Sequence, residues 1–140
     1  QQVAVIQRMT TDLDFPVTIV PCPTVREADG LAMSSRNVHL TADERSQATV
    51  LYRALTVGKQ KVLSEEWSTG DEVEHHLKEM IASQPLARID YVNILTFPEL
   101  EPVSHITERQ YVIALAVRFG KARLIDNMLI HKEAGSCSST

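Results

Sequence analysis

The sequence predicts an α+β fold: a small domain of helices packed on a three-stranded antiparallel sheet, preceded by the last part of an α/β domain. Three observations carry this expectation. Apolar residues recur at helical spacing in several segments up to residue 83. Beyond residue 87 the period changes to alternation and continuous apolar runs, as in strands. The first forty residues hold one helix and one strand-like run, which is half of a βαβ unit and does not stand as a fold by itself.

In "QQVAVIQRMTTDL" the residues Val3, Val5, Ile6, Met9 and Leu13 mark one face of a helix. "FPVTIVPC" reads as a short strand, with Val17, Ile19 and Val20 between Pro16 and Pro21, and Cys22 is expected as a small buried hydrophobe. Thr41 and Glu44 form the pattern of a capping box. A long helix follows, with Ala48, Leu51, Leu55 and Val62 inward. Gly58 is a weak point in it, costing about 1 kcal/mol against Ala in an exposed helix interior.

"STGDEVEHHLKEMIASQP" predicts a second helix of this domain, opening after Ser68 or Thr69 and ending before Pro85. "RIDYVNIL", "QYVIALAVRFG" and "ARLIDNMLI" are the three strands. "TFPELEPVSHI" joins the first two, and a tight Gly120–Lys121 turn joins the last two, so the sheet is antiparallel. "HKEAGSCSST" lacks an apolar pattern and reads as a frayed tail.

A chain of 140 residues has room for one ordinary domain, or a small domain plus a piece of another. The net charge of −4 argues against nucleic acid as a partner, and no apolar run approaches a membrane span. Cys22 and Cys137 form no disulfide framework and there is no secretory leader pattern, so a cytoplasmic location is expected. The chain opens on Gln1, already within helical spacing, and reads as one entered in its middle.

None of His39, His75, His76, His105 and His131 is paired at metal-ligand spacing, and no metal site is expected. His75 and His76 read as surface residues, and Glu65, Glu66, Asp71, Glu72 and Glu74 as a solvated helix border. No nucleophile elbow, Walker loop or dinucleotide glycine fingerprint occurs. The segment that stands out is "READGLAMSSRNVHL". Ser34, Ser35 and Arg36 offer two hydroxyls and a guanidinium suited to phosphate oxygens, and Gly30 lets backbone N–H groups approach an anion. Read as chemistry alone, the segment is either an ordinary turn before a helix or an anion-binding loop.

"PTVREADGLAMSSRN", followed by "L-x-x-x-E-R", resembles the signature of the pantothenate synthetase (pantoate–β-alanine ligase) family. The opening "QQ" resembles the end of that family's "G-x-K-D-x-Q-Q" motif, "RLIDN" resembles its closing strand, and the likeness runs from Gln1 to about Ile130. The resemblance implies a nucleotidyltransferase with a Rossmann-like N-terminal domain and a helix-on-sheet C-terminal lid. It divides this chain into residues 1–37, the end of the nucleotide-binding domain with the MSSRN loop, residues 38–130, the lid, and residues 131–140, a flexible tail.

It also implies the reaction: pantoate attacks the α-phosphate of Mg-ATP to give pantoyl adenylate and pyrophosphate, and β-alanine then releases AMP. By this likeness Ser34, Ser35 and Arg36 are the catalytic phosphate contacts, joined by Val25 and Met33 at the nucleotide, and Gln2 binds pantoate. Arg26 and Asp29 are expected as an ion pair or loop brace, and Asp126 and Asn127 as strand-end hydrogen bonding. Mg2+ comes with the ATP phosphates, and the full-length enzyme is expected as a homodimer. The family's "H-x-G-H" motif is absent from the chain, so the isolated polypeptide is expected to bind substrate weakly and to turn over poorly. A non-catalytic binding or dimerisation module derived from the same domain is the alternative expectation.

Overall fold

The computed structural model describes residues 1–133. Four helices, α1 (Gln2–Asp12), α2 (Ala42–Ala48), α3 (Val50–Leu63) and α4 (Gly70–Ala82), precede three strands, β1 (Ala87–Thr96), β2 (Gln110–Phe119) and β3 (Ala122–His131). A single 3₁₀ turn covers Ser35–His39. The strands form one antiparallel sheet in the order β1-β2-β3. This is the predicted α+β arrangement of helices on a three-stranded sheet. Among the described residues no helix is long and apolar enough to cross a membrane.

The helical layer starts where its caps dictate. The Thr41 hydroxyl accepts the Glu44 N–H at 3.2 Å, and the Glu44 carboxylate accepts the Thr41 N–H at 2.9 Å. Thr69 and Glu72 repeat the device at the start of α4, so Glu72 is a cap rather than a free surface carboxylate. Glu74 also has a task, accepting from the Ile94 N–H at 3.1 Å on β1. The predicted long helix is interrupted at Thr49, whose hydroxyl donates back to the Ser46 carbonyl and divides α2 from α3.

Leu51, Leu55 and Val62 of α3 and Val73, Leu77 and Ile81 of α4 close on Ile94, Ile113 and Leu115 of the sheet. Fully burying each Leu or Ile is worth about 1.5–3 kcal/mol. Gly58 sits inside this seam, not on an exposed helix face. A Cβ there would lie 2.8 Å from Ile113 Cδ1 and 3.2 Å from Leu77 Cδ1, so glycine lets α3 approach its neighbours.

The α1 helix forms as expected, with Ala4 buried and Val5 and Met9 exposed. Two expectations for the segment after it need correction. Val17–Val20 forms no strand, because no neighbouring strand among the described residues offers it a ladder. Cys22 is exposed, its thiol 3.8 Å from the Val20 carbonyl, instead of buried.

At the other end β3 continues through His131, whose ring is 3.1 Å from the Gln110 amide, so the strand runs one residue further than predicted. The rest of that tail beyond Glu133, with Cys137, lies outside the described residues.

Candidate phosphate-binding loop

Val25–Met33 folds back on itself as a miniature hairpin. The Met33 N–H donates to the Val25 carbonyl at 2.9 Å and the Glu27 N–H to the Leu31 carbonyl at 2.8 Å, with Arg26 and Ala32 paired between them. Val25 and Met33, both expected near a nucleotide, are thus brought side by side, and both are exposed. The turn needs Gly30, whose φ is +93° and whose missing Cβ leaves room for the Tyr52 ring. Its N–H is engaged by the Glu27 carbonyl, so Gly30 shapes the loop and offers no free amide.

After the hairpin Ser34 caps the 3₁₀ turn, its hydroxyl oxygen accepting the Arg36 N–H at 3.2 Å. The hydroxyl proton remains available to a ligand. Ser34, Ser35 and Arg36 stand next to one another and are all exposed. Among the described residues no ion pair uses Arg36.

Beneath them lies a cleft of about 200 Å³, lined among others by Thr24, Met33, Ser34, Arg36, Asn37 and Asp126. Asn37 donates to the Ala32 carbonyl at 3.0 Å, and its buried Oδ1 has no partner. Gln2 is exposed in the first turn of α1 and no hydrogen bond among the described residues ties it to this loop.

Two ion pairs hold the hairpin down. Arg26 meets Asp126 in fork-to-fork geometry at 2.6 and 3.0 Å, and also donates to the Gly30 carbonyl at 3.0 Å. Its guanidinium lies 4.7 Å from the centre of the Tyr52 ring. The hydrogen bond that Arg26 donates to Asp126 raises the Arg26 pKa above its usual value, so the guanidinium is charged at any working pH. Asp29 receives Arg45 of α2 at 2.7 and 3.1 Å and the Leu31 N–H at 3.2 Å. Arg45, and then the Leu31 N–H, holds the Asp29 carboxyl below the usual carboxylate range.

Arg26 and Asp29 are therefore loop braces, each with a partner from the helix-and-sheet layer. Asp126 is not at a strand end: it sits opposite Leu115 in the middle of β3 and is buried. Its role had a visible signal. In the alternation of β3 it shares the inward face with Leu124 and Ile130, and a carboxylate at such a position requires a cation.

A hairpin exposing two hydroxyls and an unpaired guanidinium can receive an anion, and the sequence places it within a wider likeness. The family profile described as Pantoate-beta-alanine ligase matches residues 1–129. The chain belongs to the pantoate–β-alanine ligase family. Among curated relatives, the pantothenate synthetase of a Roseiflexus species is 48% identical over 130 residues, covering 93% of this chain and 46% of the relative. That of Heliobacterium modesticaldum is 49% identical over the same length and shares. The chain thus spans a little under half the length of the relatives it matches.

Solved ligases of the family agree. The Thermus thermophilus enzyme matches with a TM-score of 0.80 and 42% identity, over 91% of this chain and 45% of that one. The Francisella tularensis ligase, solved in complex with "Beta-gamma ATP" and β-alanine, matches with a TM-score of 0.54 and 28% identity, over 91% and 39%.

Proposed function

We propose that this chain supplies the lid portion of an enzyme that condenses pantoate with β-alanine at the expense of ATP. The observation that carries the reading is the braced hairpin ending in Ser34, Ser35 and Arg36, in a chain that matches the ligase family from residue 1 to 129. The first step is attack of the pantoate carboxylate on the α-phosphate, which expels pyrophosphate and forms pantoyl adenylate. The β-alanine amine then attacks the acyl carbon and AMP departs. Both pyrophosphate expulsion and the transition state before it concentrate negative charge, so the protein's contribution is positioning and electrostatic stabilisation.

In this reading Arg36 neutralises phosphate charge, the Ser34 and Ser35 hydroxyls donate to phosphate oxygens, and Val25 and Met33 line the nucleotide. Gln2 binds pantoate from α1. Mg2+ enters this reading with the nucleotide, held mainly through the ATP phosphates. The chain turns over when it faces a nucleotide-binding half. The exposed apolar side chains of α1 and of residues 15–20 are the surface offered to that half. A cytoplasmic homodimer of full-length chains is the assembly this reading implies.

The test is AMP formation from ATP, pantoate and β-alanine, with each substrate omitted in turn, by this chain alone and combined with the N-terminal half of a relative. Turnover that requires both acid and amine in the combined sample supports the reading; AMP release independent of β-alanine in that sample overturns it. Arg36→Ala should lower ATP affinity there by more than tenfold with an unchanged melting temperature, since among the described residues no hydrogen bond or ion pair uses the Arg36 side chain. A lower melting temperature with intact ATP affinity would return Arg36 to the role of an ordinary turn residue.

A further inference from the structure

We propose that Arg26 is a positioning residue for the phosphate contacts: through Asp126 it fixes where Ser34, Ser35 and Arg36 stand relative to the helix-and-sheet layer. The inference rests on the proposed role of that trio in holding ATP phosphates.

Arg26 occupies a junction of three elements. One guanidinium nitrogen bridges the Asp126 carboxylate on β3 and the Gly30 carbonyl inside the hairpin, the second completes the fork on Asp126, and the guanidinium carbon lies over the Tyr52 ring of α3. The pair is nearly enclosed, with 18% of the Arg26 side chain and 4% of the Asp126 side chain exposed. Lysine could reproduce the charge but not this fork together with the simultaneous bond to Gly30.

The position of Arg26 in the hairpin gives the junction its consequence. It lies directly after Val25, whose carbonyl holds the Met33 N–H, and Met33 directly precedes Ser34. Fixing Arg26 therefore fixes the strand opposite it and, one residue further, the start of the 3₁₀ turn that carries the hydroxyls and Arg36. Asp126 in turn is held by the ladder of β3 and by the Asn127 N–H at 2.8 Å. The second brace, Asp29 to Arg45, fixes the far end of the turn but is more exposed and reaches only α2. Arg26 is thus the link between the loop and the sheet.

The experiment compares Asp126→Asn and Arg26→Lys with Val73→Ala, a core truncation on α4 chosen to lower stability without touching the loop. In the combined ligase, both loop variants should raise KM for ATP at least tenfold and leave KM for β-alanine unchanged, whereas Val73→Ala leaves both unchanged. A fall in kcat with KM for ATP intact in the loop variants marks a purely structural pair and overturns the proposal. Arg36→Ala separates the two layers of argument. If it leaves KM for ATP intact, the reading of the site fails; if it raises KM and Asp126→Asn does not, only the positioning role fails.

Amide exchange in the 140-residue chain decides the matter independently of turnover. The Met33 N–H should exchange at least tenfold faster in Asp126→Asn while the β2 amides hold, and an unchanged Met33 rate overturns the proposal.

Discussion

Between Leu40 and His131 most of the large apolar side chains pack together: Leu51, Leu55, Leu77, Ile81, Ile113 and Leu115 are all within 1% of complete burial. Before Leu40 only Leu31 among the large apolar residues joins that core, and most of the others face outward. Val17 is 59% exposed, Val20 74% and Val38 80%, and α1 buries only one alanine. The two regions are equally readable as amphipathic in sequence, so the difference does not lie in their patterns. Burial belongs to a pair of surfaces, and an apolar pattern specifies a face without specifying what covers it. On the proposed reading, the rear region is complete in itself and the front region is half of an interface with a nucleotide-binding domain. The braced hairpin is the seam between them.

The sharpest way to break this contrast is to truncate equivalent residues on either side. Leu77→Ala should cost about 2–5 kcal/mol, through lost burial plus the cavity left in the core. Val20→Ser should change stability by no more than about 0.5 kcal/mol, as for surface positions generally. Urea unfolding of the 140-residue chain measures both. A cost of several kcal/mol at Val20 would mean that the front region has a core of its own.

Gly58→Ala comes next in size. Helix propensity alone favours the alanine by about 1 kcal/mol. The added Cβ would meet Ile113 Cδ1 at 2.8 Å, and overpacking of that kind costs about 1–3 kcal/mol. Net destabilisation is expected in the same unfolding assay. A stabilised variant would show that the α3–sheet seam has slack.

The rear region was legible because its signals are local and agree with one another. Thr41 and Glu44 state where α2 begins, and the change of period after residue 87 announces the sheet. The failures share one cause, the absence of partner information. The apolar run Val17–Val20 predicted a strand and Cys22 a buried thiol, but the described chain supplies neither a ladder for the first nor a cover for the second.

The site divides the same way. The residue types of Ser34–Arg36 raised an anion loop as one of two readings of the sequence, whereas the brace on Arg26 comes from a residue one hundred positions away. Sequence could show that Asp126 wants a cation but not which one. The break at Thr49 was missed for a smaller reason: one hydroxyl bonding back to Ser46 outweighs an otherwise continuous helical pattern.

Thr69→Ala tests how far the rear region depends on its caps. It removes the acceptor for the Glu72 N–H and leaves one of the first-turn donors of α4 without a side-chain partner. The expected loss is about 1 kcal/mol, read from thermal unfolding. Because Glu72 also accepts the Ser68 and Thr69 N–H groups, half of the box survives and the helix should not fray completely. A loss as large as that of Leu77→Ala would place the cap, and not the core, in charge of α4.

The smallest expected effect concerns the seam itself. Arg45 and the Leu31 N–H keep the Asp29 carboxyl below its ordinary range, so the unfolded chain takes up a proton there before the folded chain does. The contribution of this brace is therefore complete above the ordinary Asp value of about 3.9 and is lost as pH falls through the lower value of the folded state. Asp29→Asn should melt slightly below the parent at pH 7, and the gap should close on titration from about pH 4 downwards. The gap at pH 7 should also shrink in high salt, because the pair is partly open to solvent. A gap that persists unchanged at pH 2 would show that the charge on Asp29 does not carry the brace, since asparagine keeps the side-chain shape and an oxygen that can accept the Leu31 N–H. The seam would then be held by charge at Arg26 and Asp126 alone.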